Sequence, residues 1–174
     1  ARVLALDARG QGYSERHPDD VSPEVHVADT AYVIEQLGIA PTILIGHSLG
    51  GQRALMLAGE QPDLVRALVV VDSGPARGDD ETVEATADYF EAWPTPFPSR
   101  EAAIEHFEGP SLLAEMWADG LEERDGGLWP RWDAEVMTQT IREAFGRDYW
   151  EQWEAIRCPT LAVRAEVPQS EFEE

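Results

Sequence analysis

Thr42-Ile43-Leu44-Ile45-Gly46-His47-Ser48-Leu49-Gly50-Gly51 is the stretch on which the fold turns. Its first residues form a short, nearly unbroken apolar run, the pattern of a parallel strand covered on both faces. Residues 49–60 then carry a small-residue helical pattern. A serine between two glycines, directly after a strand and directly before a helix, meets the context that G-x-S-x-G requires. So sharp a turn forces the serine into a strained backbone conformation, and Gly46 and Gly50, two positions away, are expected to be small to avoid collision. The turn also lifts the Ser48 hydroxyl to the helix N-terminus. There the dipole and the free N–H of Leu49 can stabilise a developing oxyanion, which marks Ser48 as a candidate nucleophile.

Upstream, residues 2–6 are apolar and end at Asp7, predicting another buried strand, and the polar, glycine-rich loop DARGQGYSERHPDD follows over residues 7–20. Ser22-Pro23 supplies a helix N-cap and first-turn proline. Val27, Ala31, Ile34 and Leu37 recur at helical spacing, and Gly38 stands where a C-terminal stop belongs. Downstream, ALVVV at residues 67–71 predicts a third strand. Strands alternating with helices indicate a parallel, three-layer α/β sheet. From residue 75 to 157 the texture changes to amphipathic stretches (81–93, 100–107, 134–145) broken by PTPFPS and DGG, as expected of a helical insertion. All six tryptophans fall inside it, and Trp129, Trp132, Trp150 and Trp153 could build its own core. A strand pattern returns at residues 159–164 before an acidic end.

The chain has 174 residues, about one domain's worth. No apolar run approaches the roughly 20 residues of a membrane span, so no membrane partner is expected. Thirty-four acidic residues face thirteen basic ones, all arginine, giving a formal charge of −21. That balance argues against nucleic acid as a partner. It fits either salt adaptation or a solvated acidic surface in an arginine-biased genome. The single cysteine, Cys158, cannot form an internal disulfide, which fits a reducing compartment, and the cytoplasm is the expected location.

GHSLGG after a strand, preceded some forty residues upstream by DARGQGYS, resembles the α/β-hydrolase fold family in its serine-nucleophile branch. The resemblance implies a three-layer core over residues 1–74 (the family's fourth to sixth strands), a helical cap or lid over 75–157, and a return to the seventh strand over 158–174. The first strands and the last would then lie outside this sequence. With them would go the second oxyanion donor, from a loop after the third strand, and the histidine base, after the eighth. Of the histidines present, His47 sits in the elbow, His17 in the polar loop, His26 near a helix start and His106 in the insertion, each read as a surface or packing residue. In the D-x-R-G-x-G-x-S loop, Asp7 and Arg9 are expected to fix the loop as an ion pair, and the glycines to satisfy left-handed turns.

The family's acid usually lies just beyond the seventh strand, where this chain reads Ala165-Glu166-Val167-Pro168. With proline at the usual position, Glu166 is one candidate from a shifted place, or it is simply solvated. Asp72 in VVVDSGP, at the end of the sixth strand, is the other; it is either the acid or a loop cap. The resemblance implies hydrolysis of an ester, amide or related small acyl substrate through an acyl-Ser48 intermediate, with a small-molecule substrate as partner and no metal or organic cofactor. A serine nucleophile argues against the haloalkane dehalogenase and epoxide hydrolase branches, which attack with a carboxylate. The competing reading is a non-catalytic homologue, or a truncated product, acting as an interaction module.

Overall fold

A computed structural model describes residues 2–164. Its elements in chain order are α1 (Pro23–Gln36), β1 (Thr42–His47), α2 (Leu49–Glu60), β2 (Val65–Val71), α3 (Asp80–Glu91), α4 (Arg100–His106), α5 (Leu112–Asp119), β3 (Leu121–Arg124), β4 (Gly127–Pro130), α6 (Ala134–Phe145), α7 (Trp150–Ala155) and β5 (Thr160–Val163). The chain divides into two compact units. One, here the sheet unit, comprises Ser22–Val83 and Ile141–Glu174; the other, the aromatic unit, comprises Ala1–Val21 and Glu84–Thr140. The loop that precedes α1 therefore groups with the tryptophan-rich insertion rather than with the strands it precedes in sequence.

In the sheet unit, β1, β2 and β5 form a parallel sheet in the order β1-β2-β5. The crossover from β1 to β2 is α2, as a parallel pair requires. Apolar residues of α1 (Val27, Ala31, Ile34), α2 (Leu55, Met56, Leu57) and β2 (Leu68, Val70) close into one core, joined by Tyr149. Tyr149 is 2% exposed, and its hydroxyl donates to the Ala144 carbonyl at 2.6 Å, so its polar end is satisfied inside the core. The alternate residues of β1 face outward, with Ile45 73% exposed. Gly38 ends α1 at φ +61, the left-handed stop expected of it.

Residues 2–6, expected as a strand, form none, and Val3 is 93% exposed. Apolar character nominates a strand, but a strand exists only where a neighbour accepts its backbone hydrogen bonds. Among the described residues β1, β2 and β5 pair only with one another, leaving residues 2–6 without a ladder.

The aromatic unit holds α4, α5 and parts of α3 and α6, together with one pair of strands, while residues 141–157 of the expected insertion fall in the sheet unit. β3 and β4 form an antiparallel hairpin closed by Asp125-Gly126, both at positive φ. Two left-handed residues match the right-handed twist of a tight hairpin, and Asp-Gly is the dipeptide that adopts them most readily. The unit's core is aromatic. Trp93, 6% exposed, lies with ring centroids 4.6 Å from Phe107, 4.9 Å from Trp132 and 5.3 Å from Trp117. Of the four tryptophans expected to build this core, Trp132 does so. Trp129 instead carries the Arg124 guanidinium over its ring at 4.9 Å. Trp153 packs against the core of the sheet unit, and Trp150 is 49% exposed. Trp93→Ala is expected to destabilise the aromatic unit by about 3–5 kcal/mol, because a large buried ring leaves a cavity its rigid neighbours cannot fill. Trp150→Ala is expected to cost under about 1 kcal/mol. Chemical denaturation followed by near-ultraviolet circular dichroism measures both.

Candidate functional site

The site begins with Ser48. It follows the last residue of β1 and immediately precedes α2, at φ 50 and ψ −120. A non-glycine residue at positive φ is strained, and the surroundings must hold it there. Three backbone bonds do so: Ser48 N–H donates to the Val71 carbonyl at 3.0 Å, and the Ser48 carbonyl accepts from Gly51 N–H at 2.8 Å and Gln52 N–H at 3.2 Å. The side chain is left half-buried at the end of the sheet, and among the described residues its hydroxyl has no hydrogen-bond partner.

The expectation that both flanking glycines be small divides on inspection. A Cβ on Gly46 would run into the Gly50 carbonyl and lie 2.7 Å from Gly51 N, backbone atoms that cannot swing aside. A Cβ on Gly50 would meet nothing within 4 Å. The tight position C-terminal to the serine is Gly51, whose Cβ would lie 2.7 Å from the Ser73 Cβ. Gly46→Ala is therefore expected to destabilise the sheet unit by about 1–3 kcal/mol through overpacking. Gly50→Ala is expected to be neutral or stabilising by up to about 1 kcal/mol, since alanine favours a helix. Thermal melting of the two variants separates them.

Leu49 and Gly50 open α2, so their N–H groups have no carbonyl four residues back within the helix. This is the arrangement expected of an oxyanion donor at Leu49.

Asp72 stands beside Ser48 by register. His47 pairs with Val71 and Val71 with Val163, so the residue after each strand lies at the same edge of the sheet. Asp72 is exposed and at φ 47, and its N–H donates to the Val163 carbonyl at 2.8 Å. Among the described residues its carboxylate accepts no backbone hydrogen bond, so the loop-capping reading has none behind it. Glu166, the other candidate acid, lies outside the described residues, as does Pro168.

His26, 3% exposed, has its Nε2 3.1 Å from Arg53 Nη2, which makes that ring nitrogen the acceptor. Burial pushes the Arg53 guanidinium down to about 10, still charged at neutral pH. His47 is exposed at the end of β1. His17 and His106 belong to the aromatic unit, and the His106 ring lies 5.1 Å from that of Phe107.

The D-x-R-G-x-G-x-S loop is structural, by bonds other than those expected. Asp7 Oδ2 accepts from Tyr13 N–H at 3.0 Å, the Asp7 carbonyl accepts from the Ser14 hydroxyl at 2.6 Å, and Arg9 donates to the Asp20 carbonyl at 3.2 Å. The Asp7 carboxylate thus holds the loop backbone instead of pairing with Arg9. Gly10 and Gly12 both take positive φ, as expected. Sequence reading passed over two residues under the elbow. Ser73 Oγ and Gln52 Oε1 are buried without a partner among the described residues, and nothing in their spacing distinguishes them from ordinary polar positions. Among the described residues no group of three or more His, Cys, Asp or Glu could hold a metal ion, and no helix is long and apolar enough to cross a membrane.

The 2-(acetamidomethylene)succinate hydrolase of Mesorhizobium japonicum is 30% identical over 170 residues, covering 94% of this chain and 60% of the relative. The sn-1-specific diacylglycerol lipase ABHD11 of Xenopus laevis is 44% identical over 152 residues, covering 85% of this chain and 39% of the relative. A crystal structure of E-2-(acetamidomethylene)succinate hydrolase superimposes with a TM-score of 0.85 at 29% identity, over 94% of this chain and 62% of that one. The chain thus spans less than two thirds of the length of these relatives. The profile of the alpha/beta hydrolase fold matches residues 1–166, and with an elbow of this geometry behind it the chain belongs to the α/β-hydrolase fold family.

Proposed function

We propose that this chain carries the nucleophile and orienting acid of a hydrolase that acts on an ester, amide or related small acyl substrate. The observation that carries the reading is the pairing of Ser48, strained at φ 50 between β1 and α2, with Asp72, strained at φ 47 at the end of the adjacent strand. Backbone strain at two neighbouring strand ends is the kind of feature that folded structure sustains at reactive sites. The names of the two relatives, a lipase and an amide-bearing succinate hydrolase, support hydrolysis as the reaction class.

In the proposed reaction a general base takes the Ser48 proton as Oγ attacks the acyl carbon. The carbonyl oxygen becomes an oxyanion and accepts from the Leu49 N–H at the start of α2, where the helix dipole adds to the stabilisation. Collapse of the tetrahedral intermediate expels the leaving group, which takes the proton from the base. Water then attacks the acyl-serine and regenerates the hydroxyl. Asp72 orients the base and stabilises its protonated form. No step calls on a metal or organic cofactor. The test is labelling of the whole protein by a fluorophosphonate probe together with short-chain ester hydrolysis. Absence of any Ser48-dependent labelling or turnover would favour a non-catalytic homologue.

A further inference from the structure

Among the described residues the Asp72 carboxylate accepts no hydrogen bond, so where it points is decided by its own backbone. That backbone is strained at φ 47 and is fixed on one side by the Asp72 N–H, which donates to the Val163 carbonyl at 2.8 Å. On the other side stands the next residue. Ser73 lies against the first turn of α2, where a Cβ built on Gly51 would come 2.7 Å from the Ser73 Cβ and 3.1 Å from its Oγ. Carbon atoms in contact rest at about 3.5–4.0 Å, so the two residues fit together only because Gly51 carries no side chain. The Ser73 hydroxyl is buried and has no hydrogen-bond partner among the described residues. What Ser73 supplies here is therefore its fit and not a bond.

The same turn of α2 is tied to the nucleophile, because Gly51 N–H donates to the Ser48 carbonyl at 2.8 Å. A short path thus runs from Ser48 through Gly51 and Ser73 to Asp72, by one backbone hydrogen bond, one close contact and one peptide bond. No flexible side-chain end lies along it.

Taking Asp72 as the orienting acid, we infer that Ser73 is a positioning residue for the reaction: its contact with Gly51 sets the distance at which the acid stands from the nucleophile. A Cβ at position 51 is relieved only by moving backbone, because the atom it meets is itself a Cβ and does not swing away on a side-chain torsion. The movement needed, about 1 Å, falls on the residue joined directly to Asp72. Misplacement on that scale costs about a hundredfold in rate.

Steady-state kinetics on the whole protein with Gly51→Ala, Ser73→Gly and the double variant tests this. Gly51→Ala is expected to lower kcat by about 10–100-fold with KM near wild type. It is also expected to move the acidic limb of the kcat/KM pH profile down by roughly half a pH unit, because a more distant carboxylate stabilises the protonated base less. Ser73→Gly removes the atom that the new Cβ meets. Alone it is expected to cost a few fold, and in the double variant to bring kcat back to its own level; the remaining approach to the Gly46 carbonyl, 3.2 Å from the new Cβ, is eased by a small shift. A general weakening of the fold would lower the melting temperature without moving the pH limb, and the second substitution would deepen it. Gly50→Ala, the same change where a Cβ meets nothing, keeps wild-type kcat. If Gly51→Ala does not fold, Ser73→Val crowds the same contact from the other side and is expected to show the same loss and the same shift. Wild-type kcat in the folded crowding variant, or a loss in Gly51→Ala that Ser73→Gly does not reverse, overturns the inference and leaves Ser48 and Asp72 in place. Turnover indifferent to Asp72→Asn overturns it together with the acid on which it depends.

Discussion

Ser48→Ala is expected to abolish labelling by a fluorophosphonate probe and to lower ester hydrolysis by the whole protein by at least about a thousandfold, with little change in melting temperature. The size of the effect follows from what the hydroxyl does. It forms the covalent bond of the intermediate, and the water that replaces it is neither held at φ 50 by three backbone hydrogen bonds nor aligned with the N-terminus of α2. What survives is the stabilisation that the Leu49 N–H and substrate binding still supply, which in serine hydrolases leaves about 10³–10⁴-fold over water. Folding is spared because the Ser48 side chain bonds to no described residue, while the backbone bonds that shape the elbow do not depend on it. Active-site labelling followed by peptide mapping reads the first effect, and kcat/KM the second. Equal labelling of wild type and variant would remove Ser48 from the mechanism.

Asp72→Asn is expected to lower kcat by about 10⁴-fold while leaving KM and folding close to wild type, and Glu166→Gln to leave kcat within a few fold. An orienting acid acts through the base, so its loss is felt in the chemical step and not in ground-state binding. The amide keeps the shape but presents a donor where the base needs an acceptor, which favours the wrong tautomer. The structural argument for Asp72 is register. Val71 pairs with His47, so the residues that follow them, Asp72 and Ser48, leave the sheet at the same edge on adjacent strands, where active sites of open parallel sheets lie. Paired kcat and KM measurements on the two variants decide the matter. A large loss in Glu166→Gln alone would assign the acid to Glu166.

Part of the fold and of the site is legible in the sequence. The reading of residues 42–60 as strand, strained serine and helix needed only local information: a continuous apolar run, a glycine on each side of Ser48 and a small-residue helical pattern. The start of α1 at Pro23 and its end at Gly38 were equally local, because a first-turn proline and a left-handed glycine act through their own backbone angles. The hairpin of β3 and β4 had its signal in Asp125-Gly126, which reads as a break between helices unless the short flanks are tried as strands.

By itself, then, the sequence determined the α/β character of the chain, the elbow at Ser48 and the aromatic wealth of residues 75–157, because each depends on angles and periodicities set within a few residues. Only the tertiary structure decided the rest. Residues 2–6 are not a strand because no neighbour offers them a ladder, a fact about partners distant in sequence. Of the three elbow glycines, Gly46 and Gly51 are crowded and Gly50 is not, because backbone and Ser73 approach the first two alone. The tryptophans divide between two units according to the core each one reaches, and Asp72 comes beside Ser48 through strand register. Contacts across long sequence separations settle each of these, and a linear pattern carries no distance between its ends.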